Sequence, residues 1–234
     1  MQQFLYDEYE LEASIATIAR TLKRAKWSRK AVRARAAERS EPLRRAWRGI
    51  QKQYDSDQLV FLDESASNER TGDRKYGWSP LGLICEQSRP YKRSERWSIL
   101  PALAEDGYLD WIITQDSITA ELFFEFVRDR VLPHCSAFPG PRSVLILDNA
   151  TIHKSAELRN MCEEKGVLLK FLPPYSPDFN PIENTFKDLK AWIKRNYMLA
   201  ADFNDFGNFL EFAVGQCKGL HARAHFRDAG YIVN

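Results

Sequence analysis

The sequence predicts an α/β protein: a mixed sheet flanked by helices and preceded by a short helical segment. Three observations carry that prediction. The 234 residues are 44% apolar, enough for one main core with a small appendage. From residue 58, short apolar runs come first as strands and then alternate with helical stretches, the pattern of a mixed sheet with helices packed on it. The residues before that point are helix-prone and basic.

In "EASIATIARTLKRAKWSRKAVRARAAERSEPLRRAWRGIQKQY", Ile15, Ile18, Ala19 and Leu22 form one apolar helical face, and Ser14 stands where an N-cap belongs. A turn near "KWSRK" and a second helix predict a helical pair, a helix-turn-helix remnant followed by a basic linker helix. The segment is too short for a complete three-helix DNA-binding domain. Residues 20–52 hold thirteen Lys/Arg against two acids, a local balance of +11 within a net charge of +2, which leaves −9 for the remainder. A basic segment on an acidic body fits a polyanion-binding arm or, alternatively, a solvated helix face.

"QLVFLDE", "YGWSPLGLICE" and "RWSILPALAEDGYLDWIIT" then predict strands joined by turns. "SITAELFFEFVRDRVLPHC" predicts a helix, "RSVLILD" a buried strand, "KSAELRNMCEEKG" a helix and "VLLKFLP" another strand. A helix over about 181–197 and a C-terminal helical region complete the chain.

Several function classes fall away. No apolar run reaches the roughly eighteen residues of a membrane span, and "MQQFLYDEYELEAS" lacks the basic-then-apolar order of a secretory signal. Cys85, Cys135, Cys162 and Cys217 form no C-x-x-C pair and read as reduced intracellular thiols. His221 and His225 stand at i, i+4, but no Glu or Cys lies beside them at zinc-site spacing, so the pair reads as surface or core.

Three carboxylates stand out. "LVFLD" stops at Asp63 and "SVLILD" at Asp148, each an apolar run whose last residue emerges at the strand end, where sheets of this class bind ligands. In "FLPPYSPDFNPIENTFKDLKAWI", Pro173 and Pro174 end a strand, "YSPDF" turns the chain, Asn180 is the expected N-cap and Pro181 starts a helix. Glu183 then falls in the first turn, at the end of an unusually rigid loop. Each acid alone is equally a cap or a solvated charge. Together, Asp63, Asp148 and Glu183 could hold two Mg²⁺ or Mn²⁺ ions, which matches phosphoryl transfer on a nucleic acid.

"VFLDESASNERTGDRKYGWSPLG", "VLILDNATIHKS" and "LKFLPPYSPDFNPIENTFKDLKAWIKR" resemble the three catalytic blocks of the mariner-like superfamily of DDE transposases. Asp148 and Glu183 are separated by 34 residues, the interval of the branch whose third acid is Glu. The resemblance implies a ribonuclease H-like mixed five-stranded sheet, with Asp63 on the first strand, Asp148 on the fourth and Glu183 on the helix after the fifth. It implies a catalytic domain over residues 58–234 and, over residues 1–57, a partial helix-turn-helix and basic linker. It further implies a metal-dependent DNA endonuclease and strand transferase, acting on double-stranded DNA at transposon ends and target as a homodimer or larger assembly. Nuclear residence is expected if the source is eukaryotic, and otherwise cytoplasmic residence.

Neighbouring residues keep two readings each. Asn149, His153 and Asn180 would orient the metal-binding acids or shape loops and caps. Arg24, Lys26, Arg29, Lys30, Arg33 and Arg35, with Lys187 and Lys190 on the helix after Glu183, would contact DNA phosphates or form solvated faces. Glu64 is expected to point away from Asp63. Arg74, Lys75 and Trp78 are candidates for DNA contact, and Trp78 equally for the core. Two further functional readings stay open: a truncated or host-adopted DNA-binding protein that no longer cuts, and a ribonuclease acting on RNA–DNA hybrids.

Overall fold

A computed structural model describes residues 1–30, 38–73, 77–86, 95–149 and 155–233. They fall into two compact units, 1–37 and 38–234. The first unit holds helices α1 (Gln2–Tyr9) and α2 (Ile15–Arg24). Ser14 caps α2 as expected, its Oγ accepting from the Thr17 N–H at 3.1 Å. Helix α1 was not anticipated from sequence. Neither helix has a buried residue.

The second unit begins with α3 (Glu41–Gln51), whose Trp47 joins the main core, so this basic helix packs as part of the sheet unit. Strand β1 (Leu59–Leu62), the short β2 (Ser65–Ser67) and the hairpin β3 (Trp97–Ala104) and β4 (Gly107–Thr114) are antiparallel to one another where they pair. After α4 (Ala120–Phe126), β5 (Val144–Leu147) pairs parallel to β1. After α5 (Ala156–Glu164), β6 (Leu168–Phe171) pairs parallel to β5. Helices α6 (Ile182–Asn196), α7 (Phe206–Cys217) and α8 (Ala222–Asp228) follow. This is the mixed, ribonuclease H-like sheet that the resemblance implied, with one refinement in strand number.

The refinement has a local cause. Phe61 pairs with Leu103 and Ser65 with Ile99, a single register, so β1 and β2 are two halves of one line along β3. That register sets Asp63 opposite Pro101, which has no N–H to donate, and the ladder opens there. The break releases Asp63 from the sheet. The expected strand in "YGWSPLGLICE" is absent: described residues 77–86 form turns and irregular backbone, with Pro80 and a positive-φ Gly82 working against extension. Trp78 is fully exposed, which removes its core reading.

Both faces of the central strands are covered, which is why β1 and β5 read as unbroken apolar runs rather than alternating ones. Leu59, Phe61, Val144 and Ile146 face a core shared with α6, α7 and α8. Val60, Leu62, Leu145 and Leu147 face Phe123, Phe126, Val127 and Leu158 on the other side. Phe61 packs edge-on against Phe226 (5.3 Å between centroids) and Tyr231 (5.2 Å), fastening the C-terminal segment to β1. Among the described residues, no helix is long and apolar enough to cross a membrane.

Truncating Phe61 leaves a cavity between β1 and the C-terminal segment. Phe61→Ala is expected to cost about 3–5 kcal/mol in equilibrium denaturation, with the folded-state circular dichroism retained.

Candidate active site

Leu62 pairs with Leu147 on adjacent parallel strands. The next residues, Asp63 and Asp148, therefore leave the same edge of the sheet side by side, on strands spaced about 4.8 Å apart. Leu147 also pairs with Phe171, and the Leu172 N–H donates to the Leu147 carbonyl at 2.8 Å, so the proline loop departs from this same edge. The loop runs from Pro173 through a short 3₁₀ turn, Pro177–Phe179, into α6. Asp63, Asp148, Asn149, Asn180 and Glu183 line one open cleft of about 420 Å³, walled by residues 172–177.

Glu183 lies in the first turn of α6 as expected. The expected cap does not form: Pro181 occupies the N-cap position and no side chain caps the helix. The reason is that the Asn180 side chain is engaged elsewhere, its Nδ2 donating to Asp63 Oδ2 at 2.7 Å. A carboxylate only accepts, so this bond fixes which end of the amide faces Asp63. Asn180 is buried, and its Oδ1 has no hydrogen-bond partner. Asp63 Oδ1 accepts from the Glu64 N–H at 2.7 Å.

Carboxylate oxygens from three half-buried acids beside an open cleft are the donors that hard divalent cations prefer. Asn149 is exposed on the rim. His153 lies outside the described residues, as do Arg33, Arg35, Arg74 and Lys75. Glu64 is exposed and is not among the residues lining the cleft.

The basic residues divide. Arg24, Lys26, Arg29 and Lys30 are all exposed in the first unit. Lys187 is exposed on α6 and donates to Asn184 Oδ1 at 2.7 Å, while Lys190 is half-buried. Arg39 and Arg44, part of the same basic run, pair with an acid of the sheet unit instead. Arg44 is 2% exposed and forks onto Asp178, Nη1 to Oδ1 at 3.0 Å and Nη2 to Oδ2 at 2.6 Å. Its guanidinium also lies 4.2 Å over the Phe179 ring. Arg39 Nη2 reaches both Asp178 oxygens at 3.1 Å. Burial alone would raise the Asp178 carboxyl, but the hydrogen bond and charge of Arg44 and the charge of Arg39 outweigh it and hold it below the usual carboxylate value.

On the other side of the loop, the buried Tyr231 hydroxyl donates to the Phe179 carbonyl at 2.9 Å. Sequence reading missed Arg39, Arg44, Asp178 and Tyr231 as loop anchors. Their partners lie 52 to 139 residues away, beyond any local periodicity. The three buried thiols are pushed up chiefly by burial, to about 12 for Cys135 and about 11 for Cys162 and Cys217, so none is a thiolate nucleophile at neutral pH.

A family profile described as DDE superfamily endonuclease matches residues 58–203. The uncharacterized protein y4pE/y4sA of Sinorhizobium fredii (strain NBRC 101917 / NGR234) is 30% identical over 94 residues, covering 34% of this chain and 64% of that protein. The chain thus spans just under two thirds of that relative's length. Among solved structures, the Mos1 transposase paired-end complex with left transposon end is 16% identical, with a TM-score of 0.56 over 98% of this chain and 78% of that one. The mariner Mos1 paired end complex with Mg is 16% identical, with a TM-score of 0.59 over 97% and 73%. The catalytic domain of Mos1 mariner transposase is 13% identical, with a TM-score of 0.52 over 87% and 91%. At these identities the likeness is one of fold.

Asp178 sets a pH dependence. Its carboxyl is depressed in the folded state, so its contribution to stability is complete above the unfolded value, about 4, and is lost as pH falls through the depressed folded value. Unfolding curves of the unaltered chain and Asp178→Asn should differ most at neutral pH and converge below about pH 4, with the substitution the less stable of the two.

Proposed function

The chain belongs to the DDE superfamily endonucleases, and on that premise we propose that it is a transposase-type DNA nuclease and strand transferase. The observation that carries this reading is the shared register of Leu62 and Leu147, which leaves Asp63 and Asp148 adjacent, with Glu183 lining the same cleft. We assign the three carboxylates as ligands of two Mg²⁺ or Mn²⁺ ions. When bound, such ions make a water or 3′-hydroxyl nucleophilic and neutralise charge on the departing oxygen. The oxygen-only donor set of the three carboxylates fits that role.

In the first reaction a water oxygen bonds to phosphorus and the phosphorus–O3′ bond breaks, leaving a 3′-hydroxyl and a 5′-phosphate. In the second, that 3′-hydroxyl bonds to a target phosphorus and displaces the target's own O3′, so one phosphodiester is exchanged for another. The protein's part is to hold the acids still. Asn180 orients Asp63, and the Arg44 clamp keeps the loop that delivers Glu183. The openness of the cleft suits a polymer backbone.

The substrate is double-stranded DNA, at transposon ends and at a target. We assign residues 58–234 to catalysis and the first unit to DNA contact, with Arg24, Lys26, Arg29 and Lys30 exposed for phosphates and Lys187 a separate phosphate contact on α6. The solved relatives described as paired-end and strand transfer complexes support a homodimer or larger assembly as the working form.

End-labelled duplex and pre-nicked DNA incubated with Mn²⁺, Mg²⁺ or EDTA test the reading. Asp148→Asn is expected to lose at least about 100-fold of the metal-dependent cleavage, since even groups that only orient metal ligands are worth 10–100-fold, while keeping its unfolding transition. Undiminished cleavage by Asp148→Asn would refute the assignment. No cleavage by the unaltered chain with any metal would favour a DNA-binding protein that does not cut.

A second measurement addresses the arm. Neutralising Arg24, Lys26, Arg29 and Lys30 together should flatten the log affinity against log salt plot by about 3 to 4, at roughly 0.9 per duplex phosphate contact. A slope that does not change would assign these side chains to solvent.

A further inference from the structure

Helix α6 carries a second set of ligand-type side chains that the nuclease reading does not use. Asp188 follows Glu183 by five residues, which sets it about 7.5 Å along the axis and about 140° around the helix from the cleft-lining acid. Its Oδ2 lies 3.1 Å from His221 Nδ1 and 2.8 Å from His225 Nε2. These three ligand atoms all fall within 4.8 Å of one another. The two imidazole rings are nearly perpendicular, at 84°, with centroids 6.0 Å apart, so they approach the carboxylate from different directions.

Two further observations bear on the cluster. His221 adopts a left-handed backbone, φ 55° and ψ 15°, which side-chain-bearing residues avoid unless the surroundings impose it. His225 Nδ1 is buried without a partner, so all the polar interaction of that ring runs through Nε2, the nitrogen facing Asp188. Bonds of about 2.0–2.2 Å to a tetrahedral ion separate its ligand atoms by about 3.3–3.6 Å. The two Asp188 contacts, at 3.1 and 2.8 Å, lie within about 0.8 Å of that separation.

We propose that Asp188, His221 and His225 form a transition-metal site of the zinc class that staples α8 to α6. Two neutral imidazoles and one carboxylate suit Zn²⁺, Co²⁺ or Ni²⁺, whereas Mg²⁺ and Mn²⁺ prefer all-oxygen sites. Three protein ligands leave a fourth position, which the exposure of His221 opens to water. Spacing along the chain concealed the site because Asp188 precedes His221 by 33 residues. The staple lies beyond the nuclease reading, but it bears on the same framework: α8 leads directly to Tyr231, whose hydroxyl holds the Phe179 carbonyl.

The test uses the full chain, stripped with chelator, carrying Asp148→Asn to weaken the cleft and kept in excess Mg²⁺ to occupy oxygen sites. One equivalent of Co²⁺ is expected to produce visible ligand-field absorption that Zn²⁺ abolishes by displacement, and Zn²⁺ should raise Tm. Adding His221→Ala, a change at an exposed side chain, should weaken Co²⁺ binding at least 10-fold and remove the Zn²⁺-dependent rise in Tm. Asp188→Asn in place of His221→Ala should do the same. Absence of Co²⁺ absorption at one equivalent, or binding unaltered by both substitutions, would overturn the proposal and leave a hydrogen-bonded His–Asp–His link.

Discussion

The buried guanidinium of Arg44 on Asp178 is the interaction on which the candidate site depends. Between Leu172 and Pro181 the chain has little regular structure of its own, yet it must deliver Glu183 to the edge where Asp63 and Asp148 emerge. Three attachments hold it: Arg44 with Arg39 on Asp178, Tyr231 on the Phe179 carbonyl, and Asn180 on Asp63. Prolines restrict the backbone between these points and lower the entropy that fixing the loop would otherwise cost. A half-buried ion pair such as this adds little net stability, because desolvating the guanidinium offsets much of the attraction. Its value here lies in geometry: a planar fork accepts one carboxylate orientation, and the Phe179 ring beneath it sets the depth.

The basic run over residues 20–52 consequently divides into two groups that composition merges. Arg24, Lys26, Arg29 and Lys30 are exposed and keep their charge available to a polyanion. Arg39 and Arg44, further along the same run, face an acid of the sheet unit and are not free for DNA. Net charge counts both groups alike; only burial separates them. The division of the chain after residue 37 falls between these two groups.

Legibility from sequence follows the range of the forces involved. Strands β1 and β5 were readable because burial on both faces leaves unbroken apolar runs, and the acids that end them were readable because each run stops abruptly. The start of α6 was readable from Pro181, whose local sterics need no partner. The strand expected in residues 76–86 is not found over described residues 77–86, where apolar residues such as Leu81 and Ile84 are exposed and no described strand pairs with them to reward extension. The wrong cap at Asn180 has the same origin. Local preference favours capping, but a carboxylate brought from 117 residues away takes the amide instead. The α6–α8 cluster was concealed in the same manner, since two histidines are visible as a pair while their acid comes from another helix.

A sheet edge thus supplies two acids through register, and a clamped loop supplies the third. Asn180 is where the two meet, since it belongs to the loop and bonds the strand-end Asp63. Mn²⁺ affinity measured by calorimetry for Asn180→Ala against the unaltered chain tests this coupling most directly. If the amide holds Asp63 in its ligand orientation, affinity falls about 10–100-fold while the unfolding transition is retained. Equal affinity in the two proteins would mean that Asp63 is oriented without the loop and would contradict the coupling.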